Sequence, residues 1–279
     1  MGHVIAFIPA SGGVGASTLA AAVAVRGASA GRAVVAVDLD HVAGRLDVVF
    51  GVEQHPGWRW DALTEVIGVV DGTALGQRLP CAEGVRVLAH DRSRAALSAE
   101  LGPNGTDDGA GRGDSSPPVG HGVAVEAVSD VVSGLARAHD LTIVDLPRDL
   151  TLVELVSGLV DAVVLVVGSH LSQVAAAAAS TVVLTRVLRA LPTADVDRQP
   201  WSCPPPPTWL VLRGSAVSDD LADVVVDHLD LPLVGIVGDE HRVISDLQRG
   251  LVPGARGRGS LVDVADDLLL RLVAVERAA

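Results

Sequence analysis

The run Ala10-Ser11-Gly12-Gly13-Val14-Gly15-Ala16-Ser17-Thr18 is the stretch of this sequence best suited to chemistry. It follows a short apolar strand and precedes a helical stretch, Leu19 to Ala28. Glycines let the backbone turn with its N–H groups pointing inward, and the helix N-terminus adds a partial positive charge, so the loop suits the oxygens of a phosphate. Ser17 offers a hydroxyl to Mg2+. A glycine-rich turn also forms where a strand merely packs on a helix; the position after strand one favours the anion-binding reading. All 21 positive residues are arginine, so no lysine exists to reach a bound phosphate. Asp38, Asp40 and Asp145 close apolar runs elsewhere, and each taken alone reads as structural. Other chemistries lack anchors. The nine histidines show no HxxxH or HExxH spacing, no GxSxG elbow occurs, and Cys81 and Cys203 have no CxxC partner.

These residues need a scaffold, and the hydrophobic pattern supplies one. Strands are predicted at 4–8, 33–37, 85–88, 141–144, 162–167, 209–212 and 233–237, separated by helical stretches. Continuous apolar strands need cover on both faces, and strands alternating with helices imply right-handed crossovers. The expected fold class is α/β, a doubly wound, mostly parallel sheet flanked by helices, with ligands at the carboxyl ends of the strands. With 49% hydrophobic and 20% charged residues in 279, the chain can bury one large core over 1–279, and 2% aromatics leave aliphatics to fill it. The uncharged stretch 162–185 is long enough to span a bilayer, but Gly168, Ser169, His170, Ser172 and Gln173 divide it into a strand and an Ala-rich helix. Residues 102–122 read as a disordered loop, and 192–207, with its run Pro204 to Pro207, as a Pro-rich insertion.

The loop resembles the deviant Walker A motif of the MinD/ParA superfamily of P-loop NTPases, KGGxGK[ST]T. Here it reads Ser11-Gly12-Gly13-Val14-Gly15-Ala16-Ser17-Thr18. Ser11 stands where the signature lysine reaches across a dimer, and Ala16 where the Walker lysine holds the β- and γ-phosphates. The resemblance continues in order: Gly31 to Asp40 looks like the second strand and switch I, and Asp140 to Pro147 like Walker B. It implies ATP and Mg2+ as cofactors, with Ser11 to Thr18 binding nucleotide, Ser17, Asp38 and Asp145 holding the metal, and Asp40 orienting the attacking water in a degenerate catalytic site. The strand ends from Trp209 to Gly214 and from Leu231 to Glu240 match those flanking the adenine base. Gly51 to Glu53, Pro56 to Trp60, Gly84 to Leu88 and Arg256 to Gly259 look like the actinobacterial CpaE-like septum-site-determining proteins, which also resemble TadZ pilus-localising proteins. Members of that branch often carry an additional receiver-like domain, whereas this sequence starts at the ATPase-like strand.

Losing one preorganised cation from a charge-developing transition state typically costs ~10² to 10³ in rate. Two are missing, so little or no ATP hydrolysis is expected. Three readings follow: a positioning protein of cell division or of Flp-type pilus and secretion assembly that acts by binding; a slow ATPase switch dimerising around ATP and Mg2+, with an arginine such as Arg45 or Arg148 as substitute cation; and a nucleotide-free interaction scaffold. Expected partners are proteins of those machineries and a second copy of the chain. A net charge of −13 opposes nucleic acid and anionic membranes. The absence of an export signal and the cysteine usage fit the cytoplasm. Trp58 and Trp60 alternate, so both could lie on one face of an extended stretch, with core filling favoured over a partner surface. The last helix, Ser260 to Arg277, is expected to start on a Ser260 cap and to pack Leu261, Val264, Leu268 and Leu272 into the core.

Overall fold

The computed structural model describes residues 2–42, 44–64, 66–90, 125–189 and 205–278. The predicted loop at 102–122 lies outside them, as does all of the Pro-rich stretch before residue 205. The strands are β1 His3–Pro9, β2 Val34–Asp38, β3 Cys81–Ala82, β4 Val85–Leu88, β5 Leu141–Asp145, β6 Ala162–Gly168, β7 Thr208–Arg213 and β8 Leu233–Val237. The α-helices are α1 Ala16–Ser29, α2 Leu46–Val49, α3 Gly72–Arg78, α4 Val125–Ala138, α5 Leu150–Ser157, α6 Leu171–Arg189, α7 Asp219–Leu229, α8 His241–Gln248 and α9 Ser260–Ala278. They flank one eight-stranded sheet in the order β3-β4-β2-β5-β1-β6-β7-β8. All pairings are parallel except that of β3 with β4, a two-residue edge too short to leave a sequence signal.

The alternation of side chains along each strand divides the core. Val4, Ala6 and Ile8 of β1 face one apolar layer; Ile5 and Phe7 face the other. The second layer is built around α1, whose Ala20, Ala21, Ala22 and Ala24 are fully covered. Small side chains bring this helix close to the sheet, and at Gly27 an added Cβ would lie 2.8 Å from Leu141. Helix α9 covers α1, with Leu261, Val264, Leu268 and Leu272 buried as the periodicity predicted. Arg26 fixes the pair by a two-pronged bond to Asp266, at 2.7 and 3.0 Å.

The start of α9 differs from expectation. Ser260 lies inside the first turn; its hydroxyl donates to Glu240 Oε1 (2.6 Å) and accepts from the Gly238 N–H (2.9 Å). Glu240 Oε1 also receives the Leu261 N–H at 3.3 Å, so a carboxylate from the distant β8 end does the capping. Helix α1 begins three residues earlier than predicted, at Ala16, because Gly15 in a left-handed conformation (φ 81°) already turns the chain into it. The uncharged stretch does divide into β6 and α6. Among the described residues α6 is the one helix long and apolar enough to cross a bilayer, and it lies on the sheet with Ala177, Leu184 and Leu188 buried.

Candidate nucleotide site

Strand β1 and helix α1 hold the glycine-rich loop between them. The Ala10 N–H bonds Val166 O of β6 (2.9 Å), and the Gly15 carbonyl accepts the first helical bond, from Leu19 (3.0 Å). Val14 and Ala16 point into the core and anchor the loop from below. Gly13 (φ 76°) and Gly15 (φ 81°) adopt left-handed backbone, which other residues enter only with strain. A Cβ on Gly15 would also sit 2.6 Å from Nη1 of Arg213, whereas Gly12 and Gly13 face open space. The backbone thus leaves room for an anion above the loop and the start of α1. Ser11 Oγ is buried there without a hydrogen-bond partner among the described residues.

Parallel pairing sets Asp38 of β2 directly beside Asp145 of β5, with both carboxylates at the carboxyl edge of the sheet. Asp38 accepts the Asp40 N–H on Oδ1 and the Leu46 N–H on Oδ2, each at 3.0 Å. Asp145 accepts a hydrogen bond from the Ser17 side chain. Burial pushes Asp38 up to about 7, against the pull of its two backbone donors. Burial and then the charge of Asp38 push Asp145 up to about 8, with the Ser17 bond opposing. Two adjacent buried carboxylates short of positive charge fit a divalent cation. Among the described residues no three His, Cys, Asp or Glu side chains converge into a self-sufficient cage. A Mg2+ here would therefore take only one or two carboxylates and the Ser17 hydroxyl from the chain, the usual economy when phosphate oxygens supply the rest.

Asp40, whose charge also pushes both of these carboxyls up, takes the Val42 N–H on its side chain (3.1 Å) and lines an open cleft of about 930 Å³. The loop from Gly12 to Thr18 forms one wall. Residues 40–42, Arg45 and 147–150 form the others. The predicted loop residues, Asp38, Asp40 and Asp145 are thus brought to one end of the sheet, Asp38 and Asp145 beneath the cleft and Asp40 on its wall.

Trp60 fills the core as expected, but several contacts around the site escaped the sequence reading. Gly44 lets the chain curl over Asp38: an added Cβ would lie 2.6 Å from both its carboxylate oxygens. Trp60 is fully buried and donates its indole N–H to the Asp38 carbonyl (2.7 Å), while Trp58 is 39% exposed and stacked under Arg78. The two indoles do not share a face, because a short 3-10 turn starting at Trp60 breaks the alternation. His90 stacks on Trp60 and is lowered to about 4, chiefly by burial and then by His41, with Asp61 and Asp40 opposing. Arg213 closes the far flank of the loop and is engaged through Nε by Asp239 (3.0 Å). No local motif marks these contacts: Gly44 meets Asp38 through a turn, and the others join residues at least twenty positions apart.

No family model matches the chain. Uncharacterized proteins of two Mycobacterium tuberculosis strains are 31% identical over 251 residues, 89% of this chain. The chain spans 58% of the length of these curated relatives. Among solved structures, a ParA family ATPase from Chlorobium tepidum superposes with a TM-score of 0.68 at 16% identity, covering 97% of this chain and 99% of that one. The septum site-determining protein MinD of Pyrococcus horikoshii, solved with Mg-ADP, gives 0.65 at 17% identity over 96% of both chains. The fold is therefore that of the MinD/ParA-type P-loop NTPases.

Proposed function

We propose that this chain is a MinD/ParA-like regulatory or positioning protein that binds ATP with Mg2+ and works by binding, with little or no hydrolysis. One observation carries the reading. The amide loop, Ser17 and the paired aspartates Asp38 and Asp145 are assembled at one end of the sheet, yet the loop itself bears no cationic side chain. Loop N–H groups and the α1 N-terminus hold phosphate oxygens without a lysine. Bound Mg2+ supplies the positive charge that Asp38 and Asp145 lack. Ser17 positions Asp145 through their hydrogen bond. Asp40 stands on the cleft wall where an attacking water would be oriented. A wall position without the two lysines stabilises little developing charge, so chemistry stays slow.

The process proposed is septum-site selection and cell division, or Flp-type pilus and secretion assembly, in the cytoplasm with recruitment to membrane or pole through protein partners. Support comes from the fold and from the CpaE-like segments around Trp58, Val85 and Arg256. Calorimetry with Mg·ATP and Mg·ADP, alongside a phosphate-release assay, tests the reading: saturable heat with negligible release is expected. A flat titration overturns it and leaves an interaction scaffold. The arginines on the cleft favour a second reading, a slow switch that dimerises around ATP; light scattering with and without Mg·ATP separates the two.

A further inference from the structure

We infer that Arg45 and Arg148 supply the phosphate-neutralising charge that the loop lacks, and that they make the site selective for a nucleoside triphosphate over a diphosphate. The inference rests on the proposed nucleotide-binding reading. Both side chains line the same cleft as the loop, Arg45 from the segment after β2 and Arg148 from the segment after β5. Neither makes an ion pair or side-chain hydrogen bond among the described residues, in a chain where acids outnumber arginines 34 to 21. Their neighbours are occupied otherwise. Asp149 accepts the Thr151 N–H as the cap of α5 (2.9 Å), and Asp40 accepts the Val42 N–H (3.1 Å). Arg213, the other arginine at the loop, is neutralised by Asp239. Uncompensated guanidinium groups on an acidic protein, facing an amide-lined cleft, are suited to an anion, and their planar forks match phosphate oxygens.

The sheet order points to which end of a bound triphosphate they meet. The loop rises from β1, with β5 and β2 on one side and β6, β7 and β8 on the other. Asp38 and Asp145 end β2 and β5, so a divalent cation held by them would sit on that side and would supply positive charge to the outer phosphates of a triphosphate. Arg45 and Arg148 follow the same two strands. They therefore face the terminal phosphate, while the inner phosphates rest on loop amides. Selectivity for the triphosphate comes from residues on the two segments flanking the cleft, not from the loop.

The test is calorimetry on the full chain with Mg·ATP and Mg·ADP, for wild type, Arg45→Gln, Arg148→Gln, the double variant and the two Lys replacements. Arg137→Gln, at the opposite end of the sheet, is the control. Wild type is expected to bind Mg·ATP more tightly than Mg·ADP. Each Gln variant should weaken Mg·ATP at least about tenfold, equal to about 1.4 kcal/mol, and Mg·ADP by less than about threefold. The Lys variants should recover part of the loss, because charge without the fork remains. Both arginines are exposed, so folding should be unaffected, and a melting curve checks this. Unchanged Mg·ATP affinity in the Gln variants, or equal wild-type affinity for both nucleotides, overturns the inference and leaves the nucleotide-binding reading standing. A wild-type protein that binds neither nucleotide overturns both.

Discussion

At the scale of single residues, the proposed function divides the site into what would bind an anion and what would drive its cleavage. Amides need only backbone geometry, and Gly13 and Gly15 provide it. Cleavage needs a cation that meets charge as it develops, and Ser11 and Ala16 cannot supply one. Restoring the pair as Ser11→Lys/Ala16→Lys should therefore raise ATP hydrolysis at least about tenfold over wild type in a phosphate-release assay. Ala16 borders the cleft but its side chain points into the core at 3% exposure, so a melting curve of the variant accompanies the assay. No gain in a variant that binds Mg·ATP would mean that the lysines are not what limits turnover. His90 gives a second residue-scale expectation. Its folded value, lowered to about 4, lies below the ordinary 6.5, so the fold prefers the neutral ring. The stability this preference maintains is full above about pH 6.5 and is lost as pH falls toward 4. Partial exposure limits the effect to no more than about 3 kcal/mol. His41, Asp61 and Asp40 face the ring and are kept in the comparison. A His90→Asn variant should melt closer to wild type at pH 5 than at pH 7.5; an equal gap at both values would rule out His90 as the source.

At the scale of elements, what the sequence made legible is what local periodicity encodes. The seven long strands, α1, α6, α7 and α9 all announce themselves by runs or periods of apolar residues, and the glycine-rich loop by its place between two of them. The short helices α2, α3, α5 and α8 offer at most two turns of pattern and were not anticipated. Capping was not legible: the expected Ser260 cap is not formed, and three local caps were not anticipated. Ser218 takes the Leu221 N–H, Asp71 the N–H groups of Thr73 and Ala74, and Asp149 that of Thr151. Helix α9 is capped by Glu240, twenty residues away from Ser260, and no local motif could show that. The consequence is measurable. Glu240→Ala removes the acceptor of both the Ser260 hydroxyl and the Leu261 N–H. It should destabilise the protein by about 1 kcal/mol, typical of a lost cap. A Ser260→Ala variant should share most of that loss, and the double variant should fall short of the sum because the two groups act together. Strict additivity in denaturant titrations would show that Glu240 supports the helix by another route.

At the scale of the whole molecule, charge decides what the surface can meet. The paired acids Asp38 and Asp145 were legible as strand ends, but their adjacency depends on the β2–β5 pairing, which joins residues more than a hundred positions apart. The arginines around α8 show the same dependence in reverse. In the sequence, Arg242, Arg249, Arg256 and Arg258 could form a basic patch, but interspersed Asp239, Glu240 and Asp246 dilute it and favour a solvated face. In the fold, Asp246 holds Arg256 at 3.1 Å and lies 3.9 Å from Arg242, so much of that charge is cancelled at its source. A net charge of −13 surrounds what remains. Duplex DNA binding relies on uncompensated cations that release counterions from the phosphates, and its affinity falls steeply with salt. The chain should therefore show no retardation of a random duplex at about 50 mM salt, with or without Mg·ATP, a condition under which non-specific binders of this size are readily detected. Should micromolar protein shift the duplex and lose it as salt rises, the Arg242–Arg256 surface would be acting as a DNA contact. Asp246→Asn, which frees both arginines, would then strengthen the shift; if the arginines are neutralised as the geometry indicates, that variant alone should acquire weak, salt-sensitive binding that wild type lacks.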